Sequence, residues 1–245
     1  MTTNVVVLGI ETAGSNCGIA VVKNGSVLKK SNIFAGQSHS AIIIPLITGL
    51  LKKTKLSLRK IDVIAVDAGP GSFTGLRIGV SIARMLAQGI GARAVGVGSL
   101  DALAYEQQQR GDCTTYICVP VINSIRCDVY YKTCILRKGK AAKVSRIKLQ
   151  DINLACEDII RSCNASGIKK VVFTGPGVGK YEDIIRNNMK ALDVELHPCG
   201  YPRAESVAVI GSRYVFTYKN GFGYTALKPV YIQQPVAVER LKKLL

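Results

Sequence analysis

The chain has 245 residues, 48% hydrophobic and 20% charged, a globular composition that excludes a disordered or low-complexity protein. Its formal net charge is +17, from 33 Lys and Arg against 16 Asp and Glu. No apolar run reaches the roughly 18–20 residues that a bilayer demands, and no basic stretch precedes the first apolar run, so neither a membrane partner nor a secretory leader is expected; the expectation is a cytoplasmic protein.

Val5–Ile10 is a continuous apolar run and reads as a buried strand. Cys17–Val22 and Ser26–Phe34 read as two more strands, joined by a hairpin turn at Asn24-Gly25. Ser38 is placed to cap a helix running to about Thr54, with Ile42, Ile43, Leu46, Ile47, Leu50 and Leu51 at helical spacing. Pro45 falls inside it and is expected to kink it or move its start. Ile61–Val66 is a buried strand, followed by a glycine-rich loop and a helix to about Gly89. Ala94–Val97 is a short strand, and Ser99 is placed to cap a helix to about Arg110.

A second unit begins near Cys113. Thr115–Ile122, Cys127–Leu136 and Ala142–Leu149 read as strands, Asp151 as the cap of a helix, and Lys170–Thr174 as a strand ending in Gly175-Pro176-Gly177-Val178-Gly179. A helix from Tyr181, a strand at Val194–His197 and a helix over 204–218 complete it. Both units follow one plan of about three strands, then helix, strand and helix, which predicts a duplicated α/β topology. The expected division is 1–112 (joined by the helix 204–218), a smaller unit 113–203, and a tail 219–245.

The charge is uneven. Residues 1–60 carry +7, residues 61–112 carry −1, residues 113–150 carry +7, residues 151–200 carry −1 and residues 201–245 carry +5. Lys132, Arg137, Lys138, Lys140, Lys143 and Arg146 lie on or between two strands of the second unit. They read either as a patch facing a polyanionic partner or as a solvated face of a lysine-rich protein. The eight cysteines include no C-x-x-C pair and read as small buried hydrophobes. The only two histidines, His39 and His197, stand far apart, so no metal site is expected.

Two features carry chemistry. The loop Gly69-Pro70-Gly71-Ser72-Phe73-Thr74-Gly75 enters a helix, a geometry that suits a phosphate or carboxylate, although no Lys-Ser or Lys-Thr follows to make a Walker A loop. On that helix, Gly75, Gly79, Ala83 and Ala87 recur every four residues and form a small-residue stripe. The stripe serves either packing within its own unit or a contact with another subunit.

The run Gly69–Gly79 resembles the signature of the TsaB (YeaZ) proteins, partner subunits in the bacterial machinery that makes threonylcarbamoyladenosine in tRNA. The likeness extends to Leu8–Ala13, His39-Ser40, Val95–Leu100, Phe173–Gly175 and Pro229–Tyr231, in the expected order. The resemblance implies an actin/Hsp70-like (ASKHA) fold with two ribonuclease-H-like halves and a non-catalytic subunit. That subunit pairs with a TsaD-type transferase and works with a TsaE-type ATPase, and it meets tRNA through the complex. Carried onto this chain, the partner interface is Ile42, Ile43, Leu46, Ile47, Leu50, Gly75, Gly79, Ile82, Ala83 and Leu86, a face that also suits a homodimer when the chain is alone. Glu11, Thr12, Gly69, Gly71, Ser72, Thr74 and Gly75 form a degenerate nucleotide loop. No cofactor is expected beyond weak ATP or ADP binding in the complex, and no residue is assigned catalysis.

The chain departs from the family at Glu11, where relatives carry Asp, and at Asn123 and Ile125, which replace an Asp and an Arg. Its tail reads Pro-Val-Tyr-Ile-Gln233 in place of Pro-Val-Tyr-Leu-Arg. The competing readings are a superfamily kinase or carbamoyl transferase, with Asp67 as base, and a peptidase built on Ser72. Ser72 is not in a Gly-x-Ser-x-Gly elbow.

Overall fold

The computed structural model describes residues 4–34, 39–110, 114–124, 128–217 and 223–232. The expectations for Ser38, Cys113, Ile125, Cys127, Tyr218 and Gln233 lie outside these residues.

The first sheet contains β1 (Val6–Glu11), β2 (Asn16–Lys23), β3 (Ser26–Phe34), β4 (Val63–Gly69) and β5 (Arg93–Gly98), in the order β3-β2-β1-β4-β5. The β1–β2–β3 pairings are antiparallel, and β1, β4 and β5 run parallel. β1 and β4 are buried along their whole length, as continuous apolar runs require. Its helices are α1 (His39–Thr54), α2 (Phe73–Ile90) and α3 (Ser99–Gln108). Pro45 lies inside α1, which begins at His39.

The second sheet repeats this plan. It holds β6 (Thr115–Asn123), β7 (Asp128–Tyr131), β8 (Cys134–Arg137), β9 (Lys140–Val144), β10 (Lys148–Asp151), β11 (Lys170–Gly175) and β12 (Asp193–Pro198). Its order is β10-β7-β6-β11-β12, with β8 pairing β6 and β9. Its helices are α4 (Ile152–Ser166), α5 (Val178–Asn188) and α6 (Ala204–Thr217). The repeat reaches single residues. Gly69 and Gly175 end the equivalent strands β4 and β11 at φ of 108° and 111°, in the region that favours glycine.

Four expectations are corrected. The strands predicted over Cys127–Leu136 and Ala142–Leu149 are each split in two. Lys132 turns inward to an ion pair with Asp101 on α3, Nζ to Oδ1 2.5 Å, and so leaves the ladder. Opposite the break, the Ser145 N–H donates to the Thr133 carbonyl (2.9 Å) and the Thr133 N–H to Ser145 Oγ (3.0 Å). Ser99 is the first residue of α3 and not its cap; Gly98 holds that position. α5 starts at Val178, and Tyr181 lies inside it with non-helical angles. Asp151 does cap α4, accepting from the Asn153 N–H at 2.8 Å.

The two units interlock. α6 follows β12 in the chain but packs on β1, β2, β4 and β5 of the first sheet, while α3 follows β5 and packs on β6 and β11 of the second. Polar bonds hold the crossing. Gln107 Nε2 donates to Thr174 Oγ1 (2.9 Å), and Glu106 Oε1 accepts from the Arg203 N–H (2.7 Å) and Ser206 Oγ (2.9 Å). Five of the described cysteines, Cys17, Cys118, Cys134, Cys156 and Cys163, are buried and free, while Cys199 is half-buried. Burial pushes the Cys17 and Cys156 thiols up to about 11, which keeps them protonated and inert.

The small-residue stripe of α2 lies against this unit's own β1. A Cβ built at Gly75 would strike the Thr12 carbonyl, and one at Gly79 the Thr12 hydroxyl. Thr12 Oγ1 in turn donates to the Gly75 carbonyl at 2.8 Å. Gly75→Ala is expected to destabilise by about 1–3 kcal/mol through overpacking. Gly89→Ala, at an open helical position with no atom near its Cβ, is expected to gain up to about 1 kcal/mol. The midpoints of urea unfolding check both, and an unshifted midpoint for Gly75→Ala would refute the close approach.

Candidate functional site

The carboxyl ends of β1 and β4 and the amino end of α2 meet at the mouth of the first unit. Switch points of this kind are where α/β sheets place their ligands. Ser72 caps α2: its Oγ accepts from the Gly75 N–H at 3.2 Å, and its own N–H donates to the Ala13 carbonyl at 2.8 Å. The Gly69 N–H donates to Asp67 Oδ1 at 2.8 Å. Three amides that a phosphate loop would turn to an anion are thus spent inside the chain.

Glu11 completes the pattern. Its Oε1 accepts from the N–H of Ala13 at 2.6 Å and of Gly14 at 3.3 Å, so a carboxylate of this chain already occupies the amide turn after β1. Burial first, and then the neighbouring Asp67, raise the Glu11 carboxyl well above the usual carboxylate range.

Asp67 is fully buried and is pushed up to about 7, chiefly by that burial. Ser99 Oγ donates to Asp67 Oδ1 at 2.6 Å and also lies 2.8 Å from the Pro70 carbonyl. Oδ2 of Asp67 is buried with no hydrogen-bond partner. A base must reach substrate, and this one is sealed behind Ser99 and the loop.

Two hollows flank the loop. One, of about 520 Å³, runs between Glu11–Asn16, Lys30–Asn32 and the segment 200–205, with Pro176 on its far side. The other, of about 750 Å³, is lined by Ala13–Ser15, His39, Ser72, Thr74, Gly75 and Tyr201. Tyr201 lines both and carries no sequence signal. His39 and Ser72 share the second hollow, but His39 Nε2 is engaged with the Asn16 carbonyl at 3.1 Å and Ser72 Oγ with its helix. Gly175 and Gly177 do not face the loop at Gly69–Gly75; both pack against Val121 of β6. Asn123 Nδ2 donates to the Pro176 carbonyl at 3.4 Å, and its buried Oδ1 has no partner. No group of three or more His, Cys, Asp or Glu able to hold a metal occurs among the described residues.

The residues expected at a subunit contact divide. Ile43, Ile47, Leu50, Gly75, Gly79 and Ala83 are buried in this unit's own core, which corrects their place in the interface. Ile42, Leu46, Ile82 and Leu86 lie half-buried at its rim. Two residues outside that set are more exposed, Ile44 at 38% and Met85 at 55%. Lys132 is likewise corrected, since its ion pair with Asp101 removes it from the basic face. Arg137, Lys138, Lys140, Lys143 and Arg146 are exposed. No described helix is long and apolar enough to cross a membrane.

Two interlocked halves, each with the same strand order and with ligand-type loops at the same strand ends, define an α/β protein of actin/Hsp70-like architecture built from two ribonuclease-H-like halves. The chain belongs to the family described as TsaD, tRNA N6-adenosine threonylcarbamoyltransferase, whose model matches residues 33–214. Among its relatives it resembles those named TsaB. The tRNA threonylcarbamoyladenosine biosynthesis protein TsaB of Haemophilus influenzae is 24% identical over 97% of this chain and 98% of its own. The TsaB protein of Escherichia coli is 33% identical over 44% of this chain and 46% of its own. A Pseudomonas aeruginosa crystal structure, described as an uncharacterized protein with similarity to peptidase YeaZ, superposes with a TM-score of 0.76. It is 21% identical and covers 94% of this chain and 100% of its own.

The raised Asp67 carboxyl fixes a pH dependence. From about pH 4 to about pH 7 the folded chain retains a proton that the unfolded chain has released. Stability therefore falls as pH rises through that window and levels off above it. Asp67→Asn removes this titration and leaves that of the raised Glu11 carboxyl, so thermal melts of the variant are expected to decline less steeply and to match or exceed the parent at pH 8. A parent no steeper than the variant between pH 4 and 7 would contradict the buried, unpaired carboxyl.

Proposed function

We propose that this chain acts in the biosynthesis of threonylcarbamoyladenosine in tRNA as a non-catalytic subunit that pairs with a TsaD-type transferase. The observation that carries the reading is the apolar flank of α1 and α2, where Ile42, Leu46, Ile82 and Leu86 are half-buried and Met85, one residue from Leu86, stands exposed. An apolar face of this kind gains free energy by burial against a partner. The names of the TsaB relatives point to the same pathway.

The loop chemistry supports an accessory role. Asp67 is sealed, Glu11 sits in the amide turn, and Ser72 and His39 are each engaged elsewhere. Under this reading the transferase and a TsaE-type ATPase supply the chemistry. This chain contributes binding free energy that holds them in a competent arrangement and needs no cofactor of its own. Without the transferase, the same face serves a homodimer.

Met85→Glu places a charge at the centre of the face and, being exposed, leaves the fold intact. It is expected to weaken co-purification with the cognate TsaD-type protein by about 30-fold or more, with an unchanged circular dichroism spectrum. Undiminished pairing in both Met85→Glu and Ile82→Glu would end the proposal.

A further inference from the structure

The hairpin of β8 and β9 carries charge that no ion pair among the described residues neutralises. Between Asp128 and Asp151 the sequence has no acidic residue. Lys132 and Lys148 in that stretch are paired with Asp101 and Asp158, which leaves Arg137, Lys138, Lys140, Lys143 and Arg146 exposed and without an ion-pair partner among the described residues.

The backbone gathers three of them. In a regular strand, residues three apart point to opposite faces, so Lys140 and Lys143 would diverge. The β8–β9 register shifts by one residue: Arg137 pairs Lys140, Leu136 pairs Ala141, and Ile135 pairs Lys143, leaving Ala142 as the extra residue of a bulge. Because Arg137 and Ile135 share a face, the bulge brings Lys140 and Lys143 onto that face with Arg137, one use of a bulge being to re-aim a side chain. A groove of about 390 Å³ opens on the hairpin's other face, lined by Cys134, Ala141 and Val144 with Asp101 and Tyr105 of α3 and Tyr214 of α6, and of the three cations Lys140 alone lines it. Arg213 lies over the Tyr105 ring at 4.8 Å.

We propose that this basic face binds the phosphodiester backbone of transfer RNA, with the hairpin cations on phosphates. The inference rests on the tRNA-modification reading above. Three unpaired cations gathered on one exposed face match the charge chemistry of an RNA backbone, in which phosphates meet Lys and Arg. An anionic membrane is the poorer fit, because Val144 is the only large apolar side chain that the hairpin exposes and it offers little to insert.

The test measures binding of an unmodified tRNA transcript to the full chain by fluorescence anisotropy from 50 to 300 mM salt. The parent is compared with R137Q/K140Q/K143Q and with K52Q/K53Q/K60Q, which removes equal charge from the first unit. Each phosphate contact contributes roughly 0.7–0.9 to the slope of log affinity against log salt. The hairpin variant is therefore expected to lose about 2–3 from the slope and roughly tenfold or more in affinity near 100 mM salt, while the control stays near the parent. Co-purification with the transferase, read in the same preparations, is expected to survive in the hairpin variant, so failure here is separable from failure of the pairing reading. No binding by the parent, equal losses in both variants, or no loss in either overturns the proposal. So does a hairpin variant that loses adhesion to phosphatidylglycerol vesicles but keeps its hold on tRNA.

Discussion

The seating of α6 on the first sheet is the contact on which the rest of the molecule depends. It is made by small residues meeting in both directions. Gly9 of β1 leaves room for Ala204 and Ala208 of the helix, and Gly211 of the helix leaves room for Ala65 of β4. Even a methyl group at Gly9 or Gly211 would lift the helix, and the helix belongs by sequence to the other half. This close approach fixes the position of segment 200–205, and through it Tyr201, against the loops of β1 and β4. The α3 helix returns the exchange on the second sheet, where Gln107 bonds Thr174 and Asp101 draws in Lys132. The hollows, the sealed Asp67 and the split of the second unit's strands all follow from this crossed pair of helices.

Much of this was legible in the sequence, because the signals were local. β3 runs from Ser26 to Phe34 as expected, set by the Asn24-Gly25 turn on one side. Asp151 caps its helix because a carboxylate followed two residues on by a free amide is complete within one turn. The duplicated order of strands and helices was readable from the same turn and period signals.

What sequence missed was long-range. Lys132 reads as one more surface cation in a basic run, and only the arrival of Asp101 from α3 shows why the strand breaks there. Tyr201 sits in a short loop without periodicity, and its importance comes wholly from where α6 is anchored. The stripe Gly75, Gly79 and Ala83 announces that something comes close, yet spacing cannot say what; Thr12 of the same unit fills that role. What remains outside is the half-buried rim of Ile42, Leu46, Ile82 and Leu86 and the exposed Met85.

The Glu11 carboxylate in the turn after β1 has one more implication. A cleft that takes up and releases an anion has two states, and a bound partner can respond to which one is present. Here the seat is filled by a side chain of the turn itself, so a small anion arriving at this end of the sheet finds the Ala13 and Gly14 amides already engaged and would have to displace a tethered competitor to use them.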